Sequence, residues 1–286
     1  MRKFFIRRAI VFITIIILGL GGWLVYKFTQ KTQTEPVVEN NFEQSIIGHS
    51  VEGRNIEEYS FGTGEKHLLF VGGIHGGYEW NSVLLAYQLI DYLEINKEII
   101  PEDIMVTIIP STNPDGIFKV TNKNGRFYLS DVSSGDQSFA RFNANDVDLN
   151  RNFDCKWQPK STWRNNPVSA GTSVFSEPEA QAIRDFVLEN KPVAVVFFHS
   201  QSNAVYASEC ENGILSETLD IMNAYSRASG YKAVDTFDAY EVTGDAEGWL
   251  ASINIPAITV ELSTHETIEW DKNLAGVKAL FEYYGN

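Results

Sequence analysis

Cysteine is scarce in this chain: only Cys155 and Cys210 occur in 286 residues. Two are too few for a Cys-ligated zinc site or a disulfide-built scaffold. On composition alone they are either two buried thiols or, in an oxidising compartment, one disulfide. Basic residues are also few, with 23 Lys and Arg against 37 Asp and Glu. Five of those bases and none of the acids fall in residues 1–30, which leaves 18 bases against 37 acids in the remainder. Phosphate backbones are gripped by clustered Lys and Arg, so no nucleic-acid partner is expected. The acidic balance itself speaks to solubility and not to a substrate. No Gly-x-Ser-x-Gly is present, and "GTGEKH" (62–67) lacks the Gly-Lys-Ser/Thr ending of a phosphate loop. Serine hydrolase and nucleotidase chemistry are set aside on that ground. Internal repeats and low-complexity blocks are absent too, which argues against a repeat array.

With 44% hydrophobic residues, the chain can bury one large core. Its N-terminus stands apart. Arg2, Lys3, Arg7 and Arg8 form a basic tail (1–8) before an uncharged run from Ala9 to Tyr26, 18 residues long. That length is near the short end of a membrane-spanning helix. The only small-residue stretch resembling a cleavage site, "GLG" at 19–21, lies inside the run, so an uncleaved anchor is favoured over a cleaved signal peptide. Four bases before the run outnumber Lys27 and Lys31 after it. The tail is therefore expected in the cytoplasm and the remainder outside. Residues 27–45 read as a polar linker, and 46–286 as a single globular domain.

Within that domain short apolar runs alternate with amphipathic segments. "HLLFVGG" (67–73), "IMVTIIP" (104–110), "PVAVVFFHS" (192–200) and "IPAITVEL" (255–262) have the β-branched richness of buried strands. Residues 79–95, 177–190, 214–229 and 272–284 have helical spacing. Ser176 is the expected N-cap of the second helix, with Pro178 in its first turn and Glu179 at the capping-box position. The alternation predicts an α/β three-layer sandwich: a mixed, largely parallel twisted sheet with helices on both faces. Residues 111–175 read as a long, polar loop region, a functional feature more often than an idle one.

Ligands of open α/β sheets bind at the carboxyl ends of strands. His75 follows the first predicted strand, His199 ends the third and Glu261 ends the fourth. A strand-end histidine is usually just hydrogen-bonded structure, but three capable residues on one edge fit a single site. Hydrolytic zinc takes three ligands from His, Asp and Glu and leaves a position open. His75, Glu79 and His199 are the set available for one zinc ion. An acid inside "AITVEL" is costly to bury without purpose, which makes Glu261 a candidate site residue.

Eight segments in order, "GHSVEGRNI", "GGIHGGYEW", "NPDG", "RFNANDVDLNRNF", "FSEPE", "FFHSQ", "YEVTGDAEGW" and "TVEL", resemble the zinc metallocarboxypeptidases of the carboxypeptidase A type. The resemblance is strongest to the compact bacterial branch that includes murein-peptide amidases, and it covers residues 46–284. It implies His75, Glu79 and His199 as zinc ligands and Glu261 as the base that takes a proton from the attacking water and returns it to the leaving amine. By the same resemblance Arg141 would stabilise the oxyanion, and Asn150 with Arg151 would hold the substrate's free C-terminal carboxylate. Tyr240 would close over the peptide. Asp245 and Glu247 fall near the position that faces the terminal side chain, where a carboxylate would favour a basic group. The other reading of these two acids is exposed residues answering the dipole of a helix start at 245–253. Cys155 and Cys210, carried onto the same frame, would pair and clamp two active-site loops.

The sequence departs from the family in one place. The first ligand pair is commonly His-x-x-Glu, whereas three residues separate His75 from Glu79. Gly76 and Gly77 can take backbone angles that absorb the extra residue. Two competing functions are an N-acyl amino-acid amidohydrolase of the aspartoacylase type and a degenerate domain that binds wall peptides without cutting them.

Overall fold

The computed structural model describes residues 42–164 and 166–285. The expected basic tail, the anchor at 9–26 and the linker up to residue 41 lie outside the described residues. Among those described, no helix is long and apolar enough to cross a membrane. The first strand, β1 (Glu43–His49), takes in the last three residues assigned to the linker. It lies at a sheet edge and is largely exposed, so its sequence carries little of the alternation that marks a half-buried strand.

The sheet continues with β2 (Asn55–Phe61), β3 (Lys66–Val71) and β4 (Ile104–Ile109). A hairpin of β5 (Lys160–Trp163) and β6 (Asn166–Ser169) stands apart from it. Then come β7 (Ala194–Ser200), β8 (Ala204–Ala207), the two-residue strands β9 (Glu209–Cys210) and β10 (Gly213–Ile214), β11 (Lys232–Val234) and β12 (Ala257–Leu262). Eight of them form one sheet in the order β1-β2-β4-β3-β7-β12-β8-β11. Its centre, β4-β3-β7-β12, is parallel, while β2 and β8 join it antiparallel. The four strands expected from the sequence are the four central ones. Their apolar runs are continuous because both faces are covered.

A period of two sorts their side chains between two cores. Leu68, Phe70, Val196 and Phe198 face α1 (Trp80–Ile95) and the later helices that pack on the same side. Leu69, Val71, Val195 and Phe197 face the opposite layer. The helices are α1, α2 (Pro114–Thr121), α3 (Pro178–Asn190), α4 (Ser216–Ser229), α5 (Ala246–Ser252) and α6 (Trp270–Tyr284). The first core takes α1, α4 and α6, and the second takes α3 and α5. The fold is thus an α/β three-layer sandwich with a mixed sheet.

Two local expectations need correction. Residues 111–175 are not all loop. Asn113 caps α2 by accepting from the Gly116 amide at 2.8 Å, and Pro114 opens the helix. "NPDG" is therefore a helix start, with an Asn cap and Pro at the first position. At α3 the N-cap is Glu177, and its side chain makes no cap. Ser176 Oγ instead donates to Glu177 Oε1 at 2.7 Å, and Glu179 accepts from the Val51 amide and Asn143. Two donors distant in sequence, the Val51 amide and Asn143, thus take the Glu179 carboxylate that a local capping box would have used.

Candidate metal centre

Beyond β3 the chain turns sharply. Gly76 sits at φ +49, and a Cβ built there would lie 2.7 Å from the Ala140 carbonyl oxygen and 2.9 Å from Gly116 Cα. Only glycine fits this left-handed, crowded position. The 3-10 turn Gly76–Glu79 then feeds α1, and His75 and Glu79 are both buried where the two segments meet. His199 follows Val195 and Phe197 on one face of β7, and Glu261 is its direct neighbour across the parallel β7–β12 pair. The strand ends thus converge as the carboxyl-edge rule requires.

His75, Glu79 and His199 each offer a ligand atom within 4.8 Å of the others. Glu79 Oε2 is 3.1 Å from His199 Nδ1 and accepts from the Ser200 amide at 3.2 Å. Asp148 Oδ1 stands 3.5 Å from His75 Nδ1. Both of those atoms are buried and without a hydrogen-bond partner among the described residues. Burial, with Arg141 and His199 nearby, holds His75 well below the usual imidazole range. Burial acts on His199 in the same direction, but Glu79 and Glu247 outweigh it and hold that ring well above. The two imidazoles of His75 and His199 and the Glu79 carboxylate form a donor set suited to a divalent cation. Two nitrogens and one oxygen, with a cavity of about 690 Å³ alongside, fit zinc with one position left open.

Glu261 lies partly buried in that cavity wall, with its Oε2 closed off and unpartnered. Burial, then the neighbouring Glu79, raises its carboxyl to about 8. Arg141 is buried, donates from Nε to Asp148 Oδ2 at 2.9 Å, and lies 4.7 Å from the Trp163 ring centroid. Asn150 Oδ1 accepts from the Ala246 amide at 2.8 Å. Arg151 donates to the carbonyl oxygens of Asn150 and Thr162. No carboxylate lies within ion-pair distance of it among the described residues. Tyr240 packs against Phe237 at the cavity wall with centroids 4.9 Å apart. Burial raises its hydroxyl above the ordinary value.

The two acids expected at the terminal side chain are not exposed helix-start residues. Asp245 is partly buried and caps α5 by accepting from the Gly248 amide at 2.7 Å. Burial and then Glu247 raise it to about 6. Glu247 is 4% exposed, and its Oε1 lies 3.0 Å from His199 Nε2. A disulfide joins Cys155 to Cys210 with Cα atoms 6.0 Å apart, and Cys155 lines the cavity four residues after Arg151. Asp148 was legible two residues before Asn150 inside "DVDLNRNF", yet sequence reasoning passed it over. Trp163 and Arg164, which line the cavity from the β5–β6 hairpin, carried no local signal at all.

The sequence model of the zinc carboxypeptidase family matches residues 26–274. Gamma-D-glutamyl-L-diamino acid endopeptidase 1 of Lysinibacillus sphaericus is 26% identical over 242 residues, covering 76% of this chain and 60% of the relative. Carboxypeptidase B of Helicoverpa zea is 27% identical over 248 residues, covering 78% of this chain and 56% of the relative. The chain thus spans a little over half the length of these curated relatives. The crystal structure of murein-tripeptide amidase from Escherichia coli O157 superposes with a TM-score of 0.60 at 23% identity, covering 88% of this chain and 98% of that one.

Proposed function

The chain belongs to the zinc carboxypeptidase family, and from that premise we propose that it hydrolyses the C-terminal amide bond of peptides. One observation carries the reading: the His75, Glu79 and His199 cluster, with Glu261 in register beside His199, on the wall of a cavity large enough for a peptide end. Zinc held by those three residues would polarise the scissile carbonyl and acidify the attacking water. Glu261 then accepts a proton from that water as its oxygen bonds to the carbonyl carbon, and delivers it to the amine as the C–N bond breaks. Arg141, fixed by Asp148, donates to the oxyanion that develops. Asn150 and Arg151 hold the terminal carboxylate. That no carboxylate among the described residues lies against Arg151 supports that role, since a buried guanidinium favours an anion. Tyr240 adds a hydrogen bond from the cavity wall.

Cell-wall stem peptides are the proposed substrate class, supported by what the Lysinibacillus and Escherichia relatives are named for. Asp245 in the same wall supports a basic terminal group. Comparing C-terminal Lys with C-terminal Phe peptides tests this, and equal rates would count against it. The uncharged run at 9–26 supports a single-pass anchor with the catalytic domain outside the cytoplasmic membrane. Protease added to intact cells should reach the domain. Zinc analysis of the purified protein, with a peptide digest and a Glu261→Gln control, tests the whole reading. The variant should lose at least ~100-fold in kcat. A variant as fast as the parent would overturn the mechanism, and cleavage of acylated amino acids in place of peptides would favour the aspartoacylase type.

A further inference from the structure

We infer that Glu247 is a positioning residue of the metal centre, fixing the ring of His199 so that Nδ1 faces the ion. The inference rests on the proposed zinc site. The two nitrogens of His199 have different neighbours: Nδ1 is 3.1 Å from Glu79 Oε2, its partner in the ligand set, and Nε2 is 3.0 Å from Glu247 Oε1. An imidazole that binds a metal through one nitrogen carries its proton on the other, and a carboxylate at that second nitrogen sets tautomer and ring orientation together.

Glu247 is itself held in place. Thr259 Oγ1 donates to the same Oε1 at 3.2 Å, and the Asn150 side chain also bonds the carboxylate. Its backbone lies in the first turn of α5, whose start is pinned by Asp245. Thr259 stands two residues before Glu261 on β12, so both project from one face of that strand. Glu247 thus ties a metal ligand, the strand of the base and the carboxylate-binding Asn150 into one buried network. With Oε1 already facing two donors, it is a weaker partner for a substrate's cationic group than its place in the cavity wall suggests. Asp148 stands in the matching relation to His75 at 3.5 Å.

The test is zinc affinity, measured by competition with a chromophoric chelator on the full chain. Glu247→Gln keeps the shape but removes the charge, and its amide can present a hydrogen to Nε2 and favour the wrong tautomer. Its zinc dissociation constant should rise ~10–100-fold, and excess zinc should restore most of the lost activity. Thr259→Val should weaken zinc in the same direction but less. In the zinc-loaded parent, ¹⁵N spectra of His199 should show the proton on Nε2, a measurement that stands even if Glu247→Gln fails to fold. A dissociation constant within twofold of the parent, or a proton on Nδ1, overturns the inference. If Glu247→Gln binds zinc normally but loses a preference for basic termini, Glu247 serves the substrate alone and the proposed function survives. A parent that takes up no zinc overturns both.

Discussion

Glu261→Gln should make the metal-free protein more stable, and increasingly so as pH rises. In the fold the Glu261 carboxyl titrates at about 8 against an ordinary 4.5, because burial and Glu79 disfavour its anion. Between those two values the unfolded chain has released the proton while the folded chain still holds it. Stability therefore falls as pH rises from about 4.5 and levels off above about 8. At ~1.4 kcal/mol per pH unit the full span corresponds to about 5 kcal/mol as an upper limit, and water reaching the carboxylate would reduce it. Glutamine has nothing to titrate, so the gap in unfolding free energy between variant and parent should widen by ~2–4 kcal/mol between pH 5 and pH 9. Urea unfolding of chelator-treated protein, followed by tryptophan fluorescence at each pH, reads this directly. The rise held in His199 by Glu79 and Glu247 also makes stability fall with pH, but it is present in both proteins and largely cancels in the difference. Added zinc should narrow the gap, because a divalent cation favours the anion. A gap that stays constant within about 1 kcal/mol across the range would refute the reasoning.

Arg151→Ala should raise KM ~10–100-fold for peptides with a free C-terminal carboxylate, the loss of a charge-assisted contact worth ~1.5–3 kcal/mol. C-terminally amidated peptides should be affected far less, and equal losses on both would remove Arg151 from carboxylate binding. Gly76→Ala places a Cβ against backbone atoms at φ +49, a strain of at least ~1–2 kcal/mol before any displacement. Zinc stoichiometry should drop together with the melting temperature, and an unaltered zinc content would mean that the turn does not set the His75–Glu79 geometry.

How much was legible varies by element. The strands β3, β4, β7 and β12 were readable because burial on both faces makes each an unbroken apolar run. The edge strands were not, since β1 has one neighbour and β11 has three residues. The helix α2 carried its signal in Asn113 and Pro114, two residues that also read as a turn. Glu247 shows the opposite limit. Its sequence position suggested a group facing substrate, and only folding brought it to His199, 48 residues away in the chain.

The sequence alone determined the residue types and their order: apolar runs that must be buried, glycines where no side chain fits, and polar residues at the ends of those runs. It thereby fixed which strands form the centre and on which edge the chemistry gathers, because these depend on local periodicity. Tertiary structure alone decided which polar atoms meet. Asp148 reached His75, Glu247 reached His199, and Glu79 accepted the Ser200 amide through sheet register and helix placement. Contacts between residues distant in sequence leave no periodic trace, and a buried donor takes whichever acceptor packing brings within about 3 Å.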